Sequence, residues 1–133
     1  MIRQQRITIV RIHQPPARNI NDELQWFGSS LGLFGQRDKE KSCFRVFLEL
    51  LKSAKRHRAL TSDELAVRTN LSRGTVVFHL HKLAGTGLII HTPGGYILRV
   101  ANLEAVVEQL RKDINESCLE LLNIAKEIDE ELR

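Results

Sequence analysis

The stretch NLSRGTVVFHLHKL, residues 70–83, decides the fold of this chain. Ser72 stands where a helix N-cap is expected, because its hydroxyl can accept a hydrogen bond from the backbone of the next turn. At about 100° per residue, Val76, Leu80 and Leu83 fall on one narrow stripe, which predicts the buried face of a helix running from Ser72 to about residue 84. Gly85 and Gly87 mark its end. The helix is therefore expected to have one core face and one open face.

The open face of this helix combines small, aromatic and polar residues: Gly74, Thr75, Phe78, His81 and Lys82. An exposed phenylalanine is unusual and indicates a contact surface. His79 and His81 lie about 200° apart around the helix axis, whereas a chelating pair needs a spacing of three or four residues. We therefore expect no metal site from this pair.

Two further helices are predicted before this one. Residues 38–55 begin with acidic and end with basic side chains, as the helix dipole prefers. The expected buried face comprises Phe44, Phe47, Leu48 and Leu51. Thr61 and Glu64 have capping-box spacing, so a second helix begins there and ends at Asn70. Two helices joined by about three residues form a helix-turn-helix.

The segment LIIHTPGGYILRV, residues 88–100, contains two β-rich runs separated by TPGG and predicts a hairpin. Helix, helix, turn, helix and hairpin in this order form a winged helix, whose third helix enters a major groove while the hairpin touches the flanking backbone. The expected fold is mainly α with a small β-hairpin: a winged helix-turn-helix with an N-terminal extension and a long C-terminal dimerisation helix.

The pattern LSxxTVxxHLxxLxxxGLI at residues 71–89 resembles the arsenic-repressor-like family of winged-helix transcriptional regulators, and the resemblance covers about residues 60–100. It implies DNA binding, with Ser72, Arg73, Thr75 and His79 facing the DNA. The implied core positions are Leu71, Val76, Leu80, Leu83, Leu88 and Ile89. The helical wheel places His79 at about 300°, near the edge of the buried stripe. Metal-sensing members of the family carry either a cysteine pair at the start of this motif or a combination of histidines and acids in the last helix, and neither pattern occurs in this sequence.

Charge divides the chain of 133 residues into three parts. Residues 38–101, the predicted DNA-binding domain, hold 11 Lys and Arg against 5 Asp and Glu, whereas residues 102–133 hold 4 against 9. Residues 1–37, with 5 against 2, are also basic. A basic surface attracts polyanions, so the middle part is the expected nucleic-acid surface, although a modest charge excess is more often simply a solvated surface.

The N-terminal part, residues 1–37, is predicted to contain a strand or extended arm over 5–13 and a short helix capped by Asn21 or Asp22. The apolar stripe of that helix is Leu24, Phe27, Leu31 and Phe34. Trp26, Phe27 and Phe34 are candidates for a ligand pocket, but such a stripe more often packs on a core or a second subunit. A small-molecule effector is left open.

The C-terminal part, residues 102–133, is predicted to be one helix capped by Asn102. Its heptad seam comprises Leu103, Val107, Leu110, Ile114, Leu121, Ile124 and Ile128. This pattern indicates a homodimer in which two recognition helices lie about one DNA turn apart. The alternative is that the helix packs on the N-terminal segment of its own chain.

The predicted partner is therefore double-stranded DNA. The expected contact residues are Ser72, Arg73, Gly74, Thr75, Phe78, His79, His81, Lys82, His57, Arg58, Thr92, Gly94, Gly95 and Tyr96. The competing hypothesis is a winged-helix module of the transcription machinery, in which Phe78 anchors another protein.

Other function classes find little support in the sequence. No catalytic motif, cofactor motif or metal-ligand spacing occurs, so we expect neither an enzyme nor a cofactor. Cys43 and Cys118 are more typical of buried small residues than of sensors. The N-terminus lacks the apolar run of a signal peptide or membrane span, so a cytoplasmic protein is expected.

Overall fold

The computed structural model describes residues 4–16, 19–33 and 41–133. Its elements, in chain order, are α1 (Ile20–Ser30), α2 (Ser42–Ala54), α3 (Ser62–Thr69), α4 (Arg73–Thr86), β1 (Ile89–Thr92), β2 (Gly95–Leu98) and α5 (Leu103–Glu131). The two strands form an antiparallel hairpin directly after the helix-turn-helix. The predicted fold class, a mainly helical winged helix-turn-helix, is confirmed.

Helices α2, α3 and α4 pack around one apolar core. The predicted stripe of α4 is confirmed, since Val76, Leu80 and Leu83 are fully buried. They meet Leu50 of α2 and Leu65 of α3, which are equally buried. Burial of each such side chain contributes about 2 kcal/mol, so this core holds α4 firmly against the other two helices.

Local side-chain hydrogen bonds determine where the helices begin. The hydroxyl of Thr61 accepts from the backbone N–H of Glu64 at 3.1 Å, and the Glu64 carboxylate accepts from the Thr61 N–H at 3.3 Å, which confirms the capping box. Ser72 caps α4 through the Thr75 N–H at 3.2 Å. Asn102 caps α5, also as predicted.

The wing is held to the helical core by a backbone bridge that the sequence did not indicate. Leu60 and Tyr96 exchange two backbone hydrogen bonds of 2.9 and 2.7 Å. Gly95, beside this bridge, is buried and has a φ of 126°, and a Cβ at this position would lie 2.5 Å from the carbonyl oxygen of Leu60. Only a residue without a Cβ allows the backbone of the wing to lie this close to the backbone of Leu60. Gly95 is therefore buried against Leu60, which corrects its predicted place on the DNA-facing surface.

The N-terminal elements differ from the prediction in their boundaries. Helix α1 is capped by Asn19, whose side chain accepts from the backbone of Asp22, and not by Asn21 or Asp22. Helix α2 begins at Ser42, so the acids at 38 and 40 are not in its first turn. Those acids and Phe34, the last residue of the predicted α1 stripe, lie outside the described residues.

The predicted strand over residues 5–13 does not form, and this segment belongs to no helix or strand. It crosses two helices through single backbone contacts, from the Arg6 N–H to the carbonyl of Gly85 at 2.9 Å and from the Val10 N–H to the carbonyl of Ser30 at 2.8 Å. The indole of Trp26 also donates to the carbonyl of Ile12. The arm is therefore tied to its own chain at both ends.

The long helix α5 has two halves with different environments. In the first half, Val106 and Leu110 are buried and Leu103 packs against the same core. This corrects the prediction that Leu103 and Leu110 belong to a dimerisation seam, because both are used inside the chain. From Asn115 onward every residue of α5 is exposed. None of the helices in the described ranges is long and apolar enough to cross a membrane.

An ion pair connects the wing, α5 and the N-terminal arm. The Arg99 guanidinium contacts both carboxylate oxygens of Asp113, at 2.5 and 3.1 Å, and Gln5 donates to the same carboxylate at 2.9 Å. The hydrogen bond from Arg99 lowers the pKa of Asp113, with Gln5 acting in the same direction, and the hydrogen bond to Asp113 raises the pKa of Arg99. Arg99, which as an arginine suits phosphate contact, is thus used structurally.

Replacement of Asp113 by Asn should lower the free energy of unfolding by about 2 kcal/mol at neutral pH, less than for a fully buried pair because Arg99 is partly exposed. Since the folded pKa of Asp113 lies below its ordinary value, its stabilisation is complete above that value and is lost as the pH falls through the folded pKa. Urea unfolding of both proteins across this range should therefore show the difference shrinking in acid.

The Glu108→Gln variant, which breaks the exposed Arg111–Glu108 pair, is the control and should change stability by less than about 0.5 kcal/mol. A difference between Asp113→Asn and wild type that persists unchanged in acid would contradict this assignment.

Candidate nucleic-acid interface

The outer face of α4 is exposed along its length. Phe78 is 68% exposed, although a phenylalanine gains free energy from burial. Gly74, His81 and Lys82 are exposed around it, and no other group lies within 4 Å of where a Gly74 Cβ would be. This face therefore combines the aromatic ring of Phe78, the ring nitrogens of His81 and the cation of Lys82. At Gly74, in its first turn, a ligand can approach the backbone closely.

Two ion pairs and one close approach connect α4 to the wing across the beginning of α3. The Arg73 guanidinium lies 3.4 Å from the Asp63 carboxylate. The next residue, Glu64, binds Arg58 at 2.7 Å. A Cβ on Gly94, at the wing tip, would lie 3.8 Å from the Cβ of Ala59. The start of α4, the loop after α2 and the wing tip are therefore neighbours on one surface.

The loop after α2 presents consecutive basic side chains. Lys55, Arg56, His57 and Arg58 are all exposed. His57 has a φ of 52°, in the left-handed region, and its N–H donates to the carbonyl of Ala54 at 3.0 Å. This turn ends α2, and the exposed side chains of Lys55 and Arg56 beside it are accessible to an anionic partner, while Arg58 also pairs with Glu64.

Two predicted contact residues are committed to the capping of α4. The Ser72 hydroxyl donates to the hydroxyl of Thr75 at 2.8 Å while it accepts from the Thr75 backbone. Ser72 is exposed and Thr75 half-buried. Thr75 can still accept through its second lone pair, so both residues are placed to meet a ligand at the beginning of the helix.

Several other predicted residues do not lie on the open surface. His79 is buried, with only 9% of its surface exposed, because its position on the wheel falls beside the core stripe and not opposite it. This corrects its predicted contact with DNA. Tyr96 stacks on His91 at 4.2 Å, and the Thr92 hydroxyl donates to the carbonyl of Gly95 at 2.9 Å. Both residues are half-buried and stabilise the wing.

Sequence reasoning missed some members of this surface. Asp63, an exposed acid, pairs with Arg73 at the centre of the surface. Lys55 and Arg56 extend the basic loop. The run of consecutive basic residues in the sequence could have identified Lys55 and Arg56. The contact of Asp63 with Arg73 could not be predicted, because it depends on how α3 and α4 pack.

The metal-ligating and thiol side chains of the described residues were also located relative to this surface. In the part of the chain that the structure describes, no group of three or more His, Cys, Asp or Glu side chains is placed to hold a metal ion. Cys43 is buried in the core, and Cys118 is exposed on α5. Neither belongs to the surface formed by α4, the basic loop and the wing tip.

Comparison with known proteins agrees with this geometry. Residues 45–97 match a protein-family model described as an HTH domain. The chain contains a helix-turn-helix domain. The match spans α2 to β2, the elements that carry the exposed surface, and it supports a DNA-binding regulator. No curated protein and no solved structure matches the chain significantly.

Replacement of Gly74 by Ala should raise the stability of the helix-turn-helix domain by up to about 0.5 kcal/mol and weaken DNA binding severalfold. Alanine restricts the unfolded chain more than glycine does, but Gly74 lies in the first turn of α4, where the gain is smaller than in a helix interior. The added methyl group would meet the ligand, since no protein group from outside this turn lies within 4 Å. Thermal unfolding and a DNA titration measure the two effects.

The matched control is Gly85→Ala, which also places its Cβ in open space on α4. Gly85 lies about 16 Å further along the helix, where its carbonyl accepts from Arg6 and the N-terminal arm crosses. This variant should gain stability without losing DNA affinity. Equal losses of affinity for both variants would place the DNA elsewhere.

Proposed function

We propose that this protein is a sequence-specific, DNA-binding transcriptional regulator that acts as a homodimer. The observation that carries the proposal is the exposed face of α4, with Phe78 at 68% exposure on the third helix of a helix-turn-helix. In this class of domain the third helix lies in the major groove, where an exposed ring can contact a thymine methyl group.

The side chains of this surface fall into two groups by their chemistry. Arg73, Thr75, Phe78 and His81 have the shapes and donors that read base edges. Lys82, His57, Arg58 and the wing tip at Gly94 are suited to hold the phosphate backbone. For His57 and Arg58 the position of the basic loop beside the wing tip supports this division, whereas Lys82, on α4 itself, is assigned to phosphate by its charge.

The second half of α5 supports the dimer. Leu121, Ile124 and Ile128 are each more than half exposed and follow heptad spacing. Leu132, four residues after Ile128 at the C-cap of α5, is 79% exposed. A helix that carries such a stripe into solvent gains free energy by pairing with a second copy, and two recognition helices would then bind half-sites about 34 Å apart.

The resemblance of residues 71–89 to arsenic-repressor-like regulators supports the same function. The family's metal ligands are missing from the sequence, so the proposal includes no metal as the signal. We also include no catalytic role, because the exposed surface contains no nucleophile held by a base.

The test compares Arg73→Ala with Lys82→Ala on DNA from upstream of the protein's own coding sequence and on a scrambled duplex. Arg73→Ala should reduce affinity for the specific duplex by about 10- to 100-fold and leave the scrambled duplex almost unaffected, because a lost base contact costs about 1–3 kcal/mol. Lys82→Ala should weaken both duplexes alike and reduce the salt dependence by about one counterion. Fluorescence anisotropy at two salt concentrations measures all four complexes.

Several outcomes would contradict the proposal. Equal losses on both duplexes for both variants would remove the base-reading role of Arg73. Wild-type protein that binds neither duplex would favour a protein partner for Phe78, since an aromatic anchor needs no phosphate. The Arg73 side chain is 71% exposed, so Arg73→Ala should not disturb the fold, and misfolding should not account for a loss of DNA affinity. Circular dichroism checks this directly.

A further inference from the structure

A cleft of about 750 Å³ lies between α1, α2 and the beginning of α5, away from the outer face of α4. Its floor is apolar and is formed by Leu24, Leu48, Leu51 and Leu103, which pack against the core and remain partly exposed. Ile20, at its lip, is 68% exposed. A volume of this size is typical of sites for small organic ligands.

The rim of the cleft is basic. Five cationic side chains line it: Lys52, Lys55, Arg56, Arg58 and Arg68. Glu49 approaches Lys52 at 3.4 Å and Arg68 at 3.9 Å, and Glu64 binds Arg58. No acidic side chain in the described part of the chain pairs with Lys55 or Arg56. The rim therefore keeps an excess of positive charge directly beside the leucine floor.

A second, smaller pocket of about 320 Å³ continues from the cleft. It shares Ile20, Leu24 and Leu103 with it and ends at Trp26 and Phe27. Trp26 and Phe27 are two of the three residues that the sequence offered as candidates for a ligand pocket, beside packing on a core or a second subunit; the third, Phe34, lies outside the described residues. An elongated apolar group on the cleft floor can extend toward the indole.

We propose that this cleft binds a small amphipathic carboxylate, an apolar chain or ring that carries one anionic group. Apolar surface buried on the leucine floor would contribute about 25 cal/mol per Å². The carboxylate would lie at the rim, where arginine offers a planar pair of donors and the site remains open enough to hydrate the charge. A neutral ligand would lose the rim contacts, and a cationic ligand would be repelled.

The cleft and the DNA surface share the basic loop. Arg58 lines the cleft and is also a predicted phosphate contact, and its neighbour His57 is a second predicted phosphate contact in the same loop. A carboxylate that engages Arg56 or Arg58 neutralises charge next to the bound phosphates. Binding in the cleft should therefore lower DNA affinity, a consequence that rests on the proposed function, whereas binding itself does not.

The first experiment measures ligand binding to the full chain without DNA. Decanoate, decanol and decyltrimethylammonium have the same chain and differ in charge, and butanoate keeps the charge with a short chain. Trp26, the single tryptophan, reports binding by fluorescence, and calorimetry gives the stoichiometry. We expect decanoate, below its micelle-forming concentration, to bind once per chain and at least tenfold more tightly than the other three ligands. Equal binding of decanoate and decanol would overturn the role of the rim.

Variants then locate the site. Lys55→Glu combined with Arg56→Glu should weaken decanoate binding at least tenfold, since both side chains are exposed and their replacement spares the core. Lys126→Glu combined with Arg133→Glu, two exposed charge reversals at the far end of the chain, is the matched control and should leave binding unchanged. Unchanged binding in the Lys55/Arg56 variant, or equal losses in both, would place decanoate outside the cleft.

The remaining outcomes separate this proposal from the proposed function. Decanoate that binds in the cleft to a protein with no DNA affinity would support the site and contradict only the regulator. Decanoate that binds a monomeric variant of α5 but not the wild-type dimer would show that the acidic tail of a second copy covers the cleft, which would overturn the small-ligand proposal.

Discussion

Replacement of both Leu121 and Ile128 by glutamate should convert the protein to a monomer and weaken specific DNA binding by about a hundredfold or more. Both residues lie on one stripe of α5 and are 68% and 51% exposed in the single chain. Their apolar surface is therefore available only to a partner. Charges at facing heptad positions would repel each other across the seam and remove the burial that stabilises pairing.

The effect on DNA follows from the number of half-sites engaged. A dimer binds its second half-site as an intramolecular event, so its affinity can exceed that of one domain by about 10²–10⁴-fold. Sedimentation equilibrium gives the oligomeric state, and anisotropy on the specific duplex gives the affinity. The apolar core formed by α2, α3 and α4 is distant from both substitutions, so circular dichroism should show intact helical domains.

A matched control adds the same two charges away from the stripe. Asn115→Glu with Asn123→Glu lies about 120° and 200° around the helix from Leu121. This variant should remain dimeric and bind DNA as the wild type does. A wild-type monomer at micromolar concentration, or a dimer that survives the Leu121 and Ile128 substitutions, would contradict the α5 interface.

Replacement of Gly95 by Ala should lower the free energy of unfolding by about 3 kcal/mol or more and detach the wing. Gly95 has a φ of 126°, a region that residues with a Cβ rarely adopt. Its Cβ would also lie 2.5 Å from the carbonyl oxygen of Leu60 and 2.9 Å from the nitrogen of Thr61. Backbone atoms cannot move aside as a flexible side chain can, so the Leu60–Tyr96 bridge should break.

Gly94→Ala is the matched control one residue earlier. A Cβ there would make an ordinary contact of 3.8 Å with Ala59, so stability should change by less than about 0.5 kcal/mol. Urea unfolding measures both variants. Near-equal stability of the two variants would mean that the wing tolerates a displaced bridge, contrary to the close packing described above.

The helical elements were predictable because their signals are local. The capping box at Thr61 and Glu64 and the cap at Ser72 act within one turn, so residue spacing alone identified them. The stripe on α4 followed from helical periodicity for the same reason. The cap of α1 was misplaced by two or three residues because Asn19, Asn21 and Asp22 all have capping side chains.

The candidate site was only partly predictable. Phe78 was identified as exposed because it lies opposite three leucine and valine positions, whereas His79 lies at the edge of that stripe, where periodicity does not determine burial. Gly95 carried a turn signal in the sequence, but the carbonyl that excludes its Cβ belongs to Leu60, far away along the chain. Spacing gives no information on such a contact.

By itself, the sequence determined the order of the helices, the hairpin and the apolar faces, since caps, periodicity and turn residues act over a few positions. Only the tertiary structure decided which of these apolar faces are buried inside the chain and which remain exposed. Packing consumed Leu103 and Leu110 of α5 and left Leu121 and Ile128 exposed, and it paired Arg99 with Asp113. It also brought the leucines of α2 beside a basic rim. These outcomes depend on contacts between distant segments, whose free energies are set by three-dimensional proximity and not by spacing along the chain.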